Sequence, residues 1–246
     1  MRLKSLLANP ATTFILVTLA VSAPISARAD TIGWAKWSSA TPGTPGTATA
    51  TIGSINITYS GQNSELLNSY PSWTPTTTFT GGVVSNAPPA SNNSVQIEGG
   101  SPITETITFS TPVADPIFAV WSLGAPGAFA EFNFDPSEKF TVQGGGPSVE
   151  FGGTALTISG ESVQGREGNG VIQFDGTYSA ITFTTPDFED YYAFTVGEDA
   201  TLTSKLPGGP TGPTGSPVPE PGSLSLFGLG LAALPFARRA ISRLRS

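Results

Sequence analysis

Much of the chain alternates between apolar and polar residues with the period of two that a half-buried β-strand requires. In residues 103–109, Ile, Glu, Ile and Phe share one face while Thr and Ser share the other, and residues 53–59 alternate in the same way. Nine further segments predict strands: 94–98, 117–123, 129–134, 139–143, 155–159, 161–164, 171–174, 180–184 and 192–196. The sequence therefore predicts about eleven short strands.

Turn-forming residues separate these segments, and no segment sustains helical spacing. The turns are expected at residues 99–102, 125–127, 144–147, 168–170 and 175–176. The pattern closest to a helix, at residues 64–69, predicts a single turn at most. Strands that follow one another without intervening helices predict an all-β ectodomain over residues 30–204: an antiparallel two-sheet β-sandwich of jelly-roll type.

Composition excludes several classes of chemistry. The 246 residues include no His and no Cys, which removes Ser-His-Asp and Cys-His catalysis, disulfides and the usual ligands of zinc, haem and iron–sulfur clusters. The net charge of −7, with acids concentrated in the ectodomain, should repel nucleic acid. We therefore predict no cofactor, no metal and no nucleic-acid partner.

The N-terminal segment predicts a secretory signal peptide over residues 1–29. Arg2 and Lys4 precede an apolar helical run at 13–21, and the small residues Ala27 and Ala29 fit the pocket of signal peptidase. An uncleaved anchor helix is the alternative, but the run is shorter than the roughly 20 apolar residues of a stable span. Cleavage is expected after Ala29.

The C-terminal segment, residues 218–246, combines three features in a fixed order. Pro219, Glu220 and Pro221 are followed by an uncharged apolar run at 222–237 and then by an Arg-rich tail. Sixteen helical residues would cover about 24 Å, which predicts a short membrane helix with the arginines on the cytoplasmic side. Residues 205–217, rich in Pro and Gly, predict a stiff spacer between ectodomain and membrane.

This tail resembles the PEP-CTERM sorting signal of exported proteins in Gram-negative bacteria that make extracellular polysaccharide. The resemblance implies that exosortase, a membrane protease, reads Pro219, Glu220 and Pro221, while the apolar helix and Arg238 and Arg239 hold the chain transiently in the inner membrane. After cleavage the protein would pass to the cell surface or extracellular matrix. A simple tail anchor is the alternative reading. Residues 70–75 and 191–197 are similar to segments of other PEP-CTERM ectodomains, which implies no particular activity.

Catalytic motifs are absent from the sequence: there is no Walker A loop, no Gly-x-Ser-x-Gly and no Ser-x-x-Lys. Carboxylates remain as candidate chemistry, and the densest group is Asp187, Glu189 and Asp190. We interpret this group first as an acidic loop that leads into a strand. The alternatives are a calcium site or the rim of a sugar site.

Among the tryptophans, Trp121 lies within an apolar strand and is expected in the core. Trp34 and Trp73 lie in Gly- or Pro-rich surroundings and are the candidates for an exposed sugar-stacking platform. Three functions follow in order of preference: a non-catalytic structural or interaction protein, a carbohydrate-binding module for extracellular polysaccharide, and a glycan hydrolase that uses two carboxylates. We predict that the protein is not an enzyme.

Overall fold

The computed structural model describes residues 30–200, which form a two-sheet β-sandwich. Both predicted terminal helices lie outside these residues. The sixteen strands are β1 Ile32–Trp34, β2 Lys36–Thr41, β3 Gly43–Ile52, β4 Ile55–Asn63, β5 Glu65–Leu67, β6 Ser94–Ile97, β7 Ser101–Ala114, β8 Ile117–Leu123, β9 Ala130–Phe134, β10 Phe140–Gly145, β11 Thr154–Ala155, β12 Thr157–Ser159, β13 Ser162–Gly165, β14 Gly168–Phe174, β15 Thr177–Thr185 and β16 Tyr192–Asp199. A single 3-10 turn spans Thr76–Thr78. Within residues 30–200, no helix has the length and apolar character needed to cross a membrane.

Each sheet contains eight strands. The first has the order β10-β14-β8-β16-β6-β5, with β1 added beside β16 and β11 beside β14. The second has the order β12-β13-β9-β15-β7-β4-β3-β2. Every strand pair is antiparallel except β11 with β14. The predicted antiparallel sandwich is therefore confirmed.

The main core lies between the two sheets, where alternate residues of each strand meet. Phe118 and Phe194 of the first sheet stack at 4.9 Å between ring centroids, and Phe132 and Phe183 of the second sheet pack edge-on against Phe118. These rings are at most 2% exposed. Because the chain has no disulfide, this aromatic layer supplies much of the burial that stabilises the fold.

A second apolar cluster covers the outer face of the first sheet. Strand β8 is buried along its whole length because Ile117, Ala119 and Trp121 face away from the main core and are covered by this second cluster. The long connection between β5 and β6, residues 68–93, folds over that face and packs Trp73 and Phe79 against it. The first sheet is thus the middle layer of the domain.

Several local predictions differ from the structure. Within residues 64–69, Glu65–Leu67 forms strand β5 instead of a helical turn, because it pairs with β6. Residues 168–170 open strand β14 instead of forming a turn, since Gly168 pairs with Leu123 across the sheet. Strands β1 to β3 were not predicted, although Gly43–Ile52 buries every second residue from Gly46 onward.

The sheets end in short or shielded strands. In the first sheet, β5 is three residues long and β10 carries a register shift between Val142 and Gly144. The backbone amide of Val83, in the 68–93 connection, donates to the Gln143 side chain at 3.2 Å and ties that connection to β10. In the second sheet, β12 has three residues and β2 begins at the exposed Lys36.

Candidate functional site

The two tryptophans predicted to form an exposed platform are buried. Trp34 is 6% exposed and Trp73 1% exposed, and both belong to the cluster under residues 68–93. The Trp34 indole donates to the Asn86 carbonyl at 3.2 Å. The expectation of exposed rings is therefore wrong, because a loop rich in Gly and Pro needs an apolar anchor as much as a strand does. Trp121 lies in the core, as predicted.

The acidic loop is confirmed as the approach to strand β16. Asp190 is exposed, whereas Asp187 and Glu189 are partly buried. The Glu189 amide donates to the Glu98 carbonyl at 2.7 Å, and burial raises the pKa of the Glu189 carboxyl to about 7. Among residues 30–200, no three acidic side chains are grouped closely enough to hold a metal ion. This loop therefore offers no group of three acidic ligands for calcium. Its role as the rim of a sugar site stays a prediction.

The most enclosed carboxyl is that of Glu105 on β7, which is 0% exposed between the sheets. Tyr59 and Thr185 donate their hydroxyls to its two oxygens. Burial outweighs these hydrogen bonds and raises its pKa to about 7. Glu105 therefore lies where no solvent-borne substrate can reach it.

A second raised carboxyl belongs to Glu138, in the turn before β10. It is 6% exposed and accepts the Thr182 amide at 2.8 Å, and burial raises its pKa to about 7. The neighbouring Asp135 accepts both the amide and the hydroxyl of Ser137, which lowers its pKa. These contacts fix the turn, and the nearly complete enclosure of Glu138 leaves it poorly placed as an acid for a bound sugar.

One small cavity is lined by three aspartates, Asp30, Asp115 and Asp199. Its volume of ≈ 40 Å³ suits one or two water molecules and excludes a sugar ring. A glycosidase needs two carboxyls on opposite sides of a substrate-sized cleft. This cavity does not offer such a cleft.

A larger groove lies at one end of the sandwich, beside three of the connections that cross between the sheets. The crossings are residues 124–129 from β8 to β9, Leu156 from β11 to β12, and residues 166–167 from β13 to β14. We call the space between them the crossover groove.

Glycines bring the three crossings together. A Cβ on Gly124, which has φ +76, would lie 2.4 Å from the Gly165 carbonyl oxygen. A Cβ on Gly165 would lie 2.5 Å from the Leu123 carbonyl oxygen and 2.8 Å from the Gly168 Cα. The backbones can approach this closely only without side chains. The groove is thus fixed by backbone packing.

The crossover groove has a volume of ≈ 270 Å³ and combines one ring, one cation and several hydrogen-bonding groups. Its lining residues are Phe129, Thr154, Ala155, Thr157, Gln164, Gly165 and Arg166. Phe129 is 47% exposed, and the Arg166 guanidinium lies 6.0 Å from its ring centroid. Such a mixture of an aromatic face with a few placed polar groups is typical of sites for small ligands.

The sequence interpretation missed both Phe129 and Arg166. Phe129 was assigned to the start of a strand, but β9 begins at Ala130 and leaves Phe129 in the crossing. One signal was available for Arg166: it is the single arginine between residues 30 and 200 of an acidic domain. The residues that face Arg166 across the groove are set by the connections between the two sheets. The alternation of apolar and polar residues does not reveal these connections.

Comparison with known proteins identifies only the C-terminal segment. A family model described as the PEP-CTERM protein-sorting motif matches residues 217–243. Searches of curated proteins and of solved structures gave no match. The match includes Pro219, Glu220, Pro221, Arg238 and Arg239, which lie outside the structurally described residues, as do Ala27 and Ala29. The motif indicates export, membrane-anchored transit and processing by exosortase.

Proposed function

This chain is a PEP-CTERM protein sorted by exosortase, and from that premise we propose that its ectodomain is a non-catalytic structural or interaction module. We place the mature protein at the cell surface or in the extracellular matrix of a bacterium that makes exopolysaccharide. Signal peptidase and exosortase would be its processing partners, and the inner membrane its transient location.

The enclosure of the perturbed carboxyls carries the non-catalytic part of this proposal. Three glutamates have a pKa raised to about 7: Glu105 is 0% exposed and Glu138 6% exposed, and Glu189 is partly buried with one carboxyl oxygen fully enclosed, so these candidate general acids are largely withdrawn from solvent. Their partners are structural groups of neighbouring strands. The structural role of these glutamates supports our proposal that the domain functions through surface contacts and not through catalysis.

The sorting proposal predicts that protein released from the cell lacks the apolar run. We expect mass spectrometry of the released form to find no peptide from residues 224–237, whereas a host without exosortase should retain the whole chain in its inner membrane. Recovery of those peptides from released protein would show that the tail is a simple anchor.

Replacement of Pro219 and Pro221 by Ala should make the uncut form accumulate in the membrane fraction. The physical reason is that the two prolines oppose helix formation through Glu220, so that their loss permits helix at the site that exosortase reads. Pro213→Ala, in the spacer, is the matched control and should be processed normally. Equal processing of all three forms would contradict recognition of the motif.

A second candidate function, recognition of polysaccharide, is favoured by one observation: the crossover groove exposes 47% of Phe129 beside hydroxyl and amide groups. An aromatic face can pack against the C–H face of a sugar, while Thr154, Thr157 and Gln164 can bond to its hydroxyls. This site replaces the tryptophan platform predicted from sequence.

A glycan array tests this candidate with the mature exported protein. We expect Phe129→Ala to abolish detectable binding, because Phe129 is the one aromatic residue that lines the groove. Phe188→Ala removes a ring that is 68% exposed outside the groove and should bind like the wild type. Equal loss of binding in both variants would show that aromatic exposure in general, and not the groove, retains glycans.

A further inference from the structure

Arg166 presents an exposed guanidinium at the crossover groove. Its side chain is exposed on the crossing from β13 to β14, and its one described interaction is the contact with the Phe129 ring at 6.0 Å. Among residues 30–200, no carboxylate forms an ion pair with it. The Arg166 guanidinium is therefore a positive group in an acidic domain whose N–H donors are open to a ligand.

The acids around Arg166 are engaged elsewhere. Glu167, the next residue, accepts the Ser122 hydroxyl at 2.5 Å. Glu131 accepts the Gln164 side-chain amide at 2.8 Å. Neither acid forms an ion pair with Arg166, whose described contact is with the Phe129 ring, so the guanidinium donors are available to a ligand in the groove.

We propose that the crossover groove binds a sugar unit that carries a carboxylate, with Arg166 as the residue that recognises the charge. This inference rests on the proposal that the groove takes saccharides. Arg166 would donate paired N–H bonds to the carboxylate oxygens, a geometry for which the planar guanidinium is well suited. Phe129 would pack against the sugar ring.

The size and lining of the groove favour one acidic sugar unit over an acidic peptide. The volume of ≈ 270 Å³ lies just below the roughly 300 Å³ at which small-molecule sites begin. Thr157 donates to the Gln164 carbonyl at 3.4 Å, which leaves its oxygen lone pairs directed to other donors such as sugar hydroxyls. A peptide side chain would offer a carboxylate but not the ring of hydroxyls.

The domain's negative charge sets the choice of probe. A short probe limits repulsion by the surrounding acids, whereas contact with Arg166 acts at short range. The appropriate probes are therefore a galacturonic acid trisaccharide and galactotriose, its neutral counterpart. Binding is measured by isothermal titration calorimetry with the mature exported protein at 150 mM salt.

We expect the acidic trisaccharide to bind at least tenfold more tightly than the neutral one, since charge-assisted hydrogen bonds form only with the carboxylate. Arg166→Gln should remove that difference between the two trisaccharides. Lys139→Gln is the matched control: it removes one positive charge at a turn where the Lys139 ammonium donates to the Pro136 carbonyl at 2.9 Å. This variant should keep the wild-type preference.

The outcomes separate the two proposals. If both trisaccharides bind the wild type equally and Arg166→Gln changes neither, the groove takes sugars but the role of Arg166 is refuted. If neither trisaccharide binds, saccharide recognition at the groove fails as well. If Arg166→Gln and Lys139→Gln reduce binding equally, the domain responds to charge alone and the proposed site is wrong. Displacement of the acidic sugar by a triglutamate peptide would contradict the proposed site in the same way.

Discussion

Phe118→Ala should lower the free energy of unfolding by about 3–5 kcal/mol, the range for loss of a fully buried aromatic ring. The Phe118 ring is 0% exposed at the centre of the main core. Five other rings pack around it at centroid distances of 4.9 to 6.5 Å: Phe132, Phe134, Phe174, Phe183 and Phe194. Since these neighbours come from both sheets, the cavity left by alanine cannot close without moving one sheet against the other.

Urea unfolding followed by tryptophan fluorescence measures this effect, and Phe188→Ala provides the matched control. The Phe188 ring is 68% exposed, so its loss should change the free energy of unfolding by less than about 0.5 kcal/mol. A Phe118→Ala protein as stable as the Phe188→Ala protein would contradict the arrangement of the core.

Stability should fall as the pH rises from 5 to 8, and Glu105 should account for much of the fall. Burial raises the folded-state pKa of Glu105 from 4.5 to about 7, so the folded protein holds this proton more tightly than the unfolded chain does. The stabilisation is complete below pH 4.5 and is lost as the pH rises through about 7. At about 1.4 kcal/mol per pKa unit, the loss reaches at most about 3 kcal/mol. Glu138 and Glu189 change stability in the same direction.

Glu105→Gln tests the assignment, because the amide keeps the shape of the carboxyl and cannot ionise. The Tyr59 hydroxyl can donate to the Gln62 carbonyl and accept from the new amide. We expect the variant to be more stable than the wild type at pH 8 and to show a smaller difference between urea midpoints at pH 5 and pH 8. Glu161→Gln, on an exposed turn, should keep the wild-type pH profile. Parallel profiles for wild type and Glu105→Gln would refute the role of Glu105.

The fold class could be predicted because most strands show strict alternation over large side chains. The alternation in residues 103–109 already placed Glu105 on the same face as Ile107 and Phe109, and the structure buries it there. An acid on an apolar face was therefore a readable signal of a buried carboxyl. The alternation places Glu105 on the apolar face of its strand. Its hydrogen-bond partners Tyr59 and Thr185 are revealed only by the structure, because they lie on other strands.

The missed strand β3 shows why small residues hide a pattern. Residues 47–52 alternate Thr with Ala and then end in Ile, and the structure buries Ala48, Ala50 and Ile52 on one face. Alanine contributes little apolar area, so the alternation carries a weak hydrophobic signal. The strand is held instead by its long pairing with β4.

The candidate site could not be predicted because its parts come from different connections. Phe129, Thr157 and Arg166 are separated along the chain and meet only where three crossings pack on glycine backbones. Likewise, the burial of Trp34 and Trp73 depends on residues 68–93 folding over the first sheet. Local patterns describe which way a strand faces and do not describe which loop covers it.

The strands that end each sheet affect how the domain behaves at high concentration. An open edge of backbone N–H and C=O groups can recruit a strand from another molecule and start aggregation. Here β5 and β12 expose only three residues each, the shift in β10 interrupts its row of donors, and Lys36 places a charge on β2. Each edge is a poor template, so the sandwich can reach high local concentration without polymerising through its sheets.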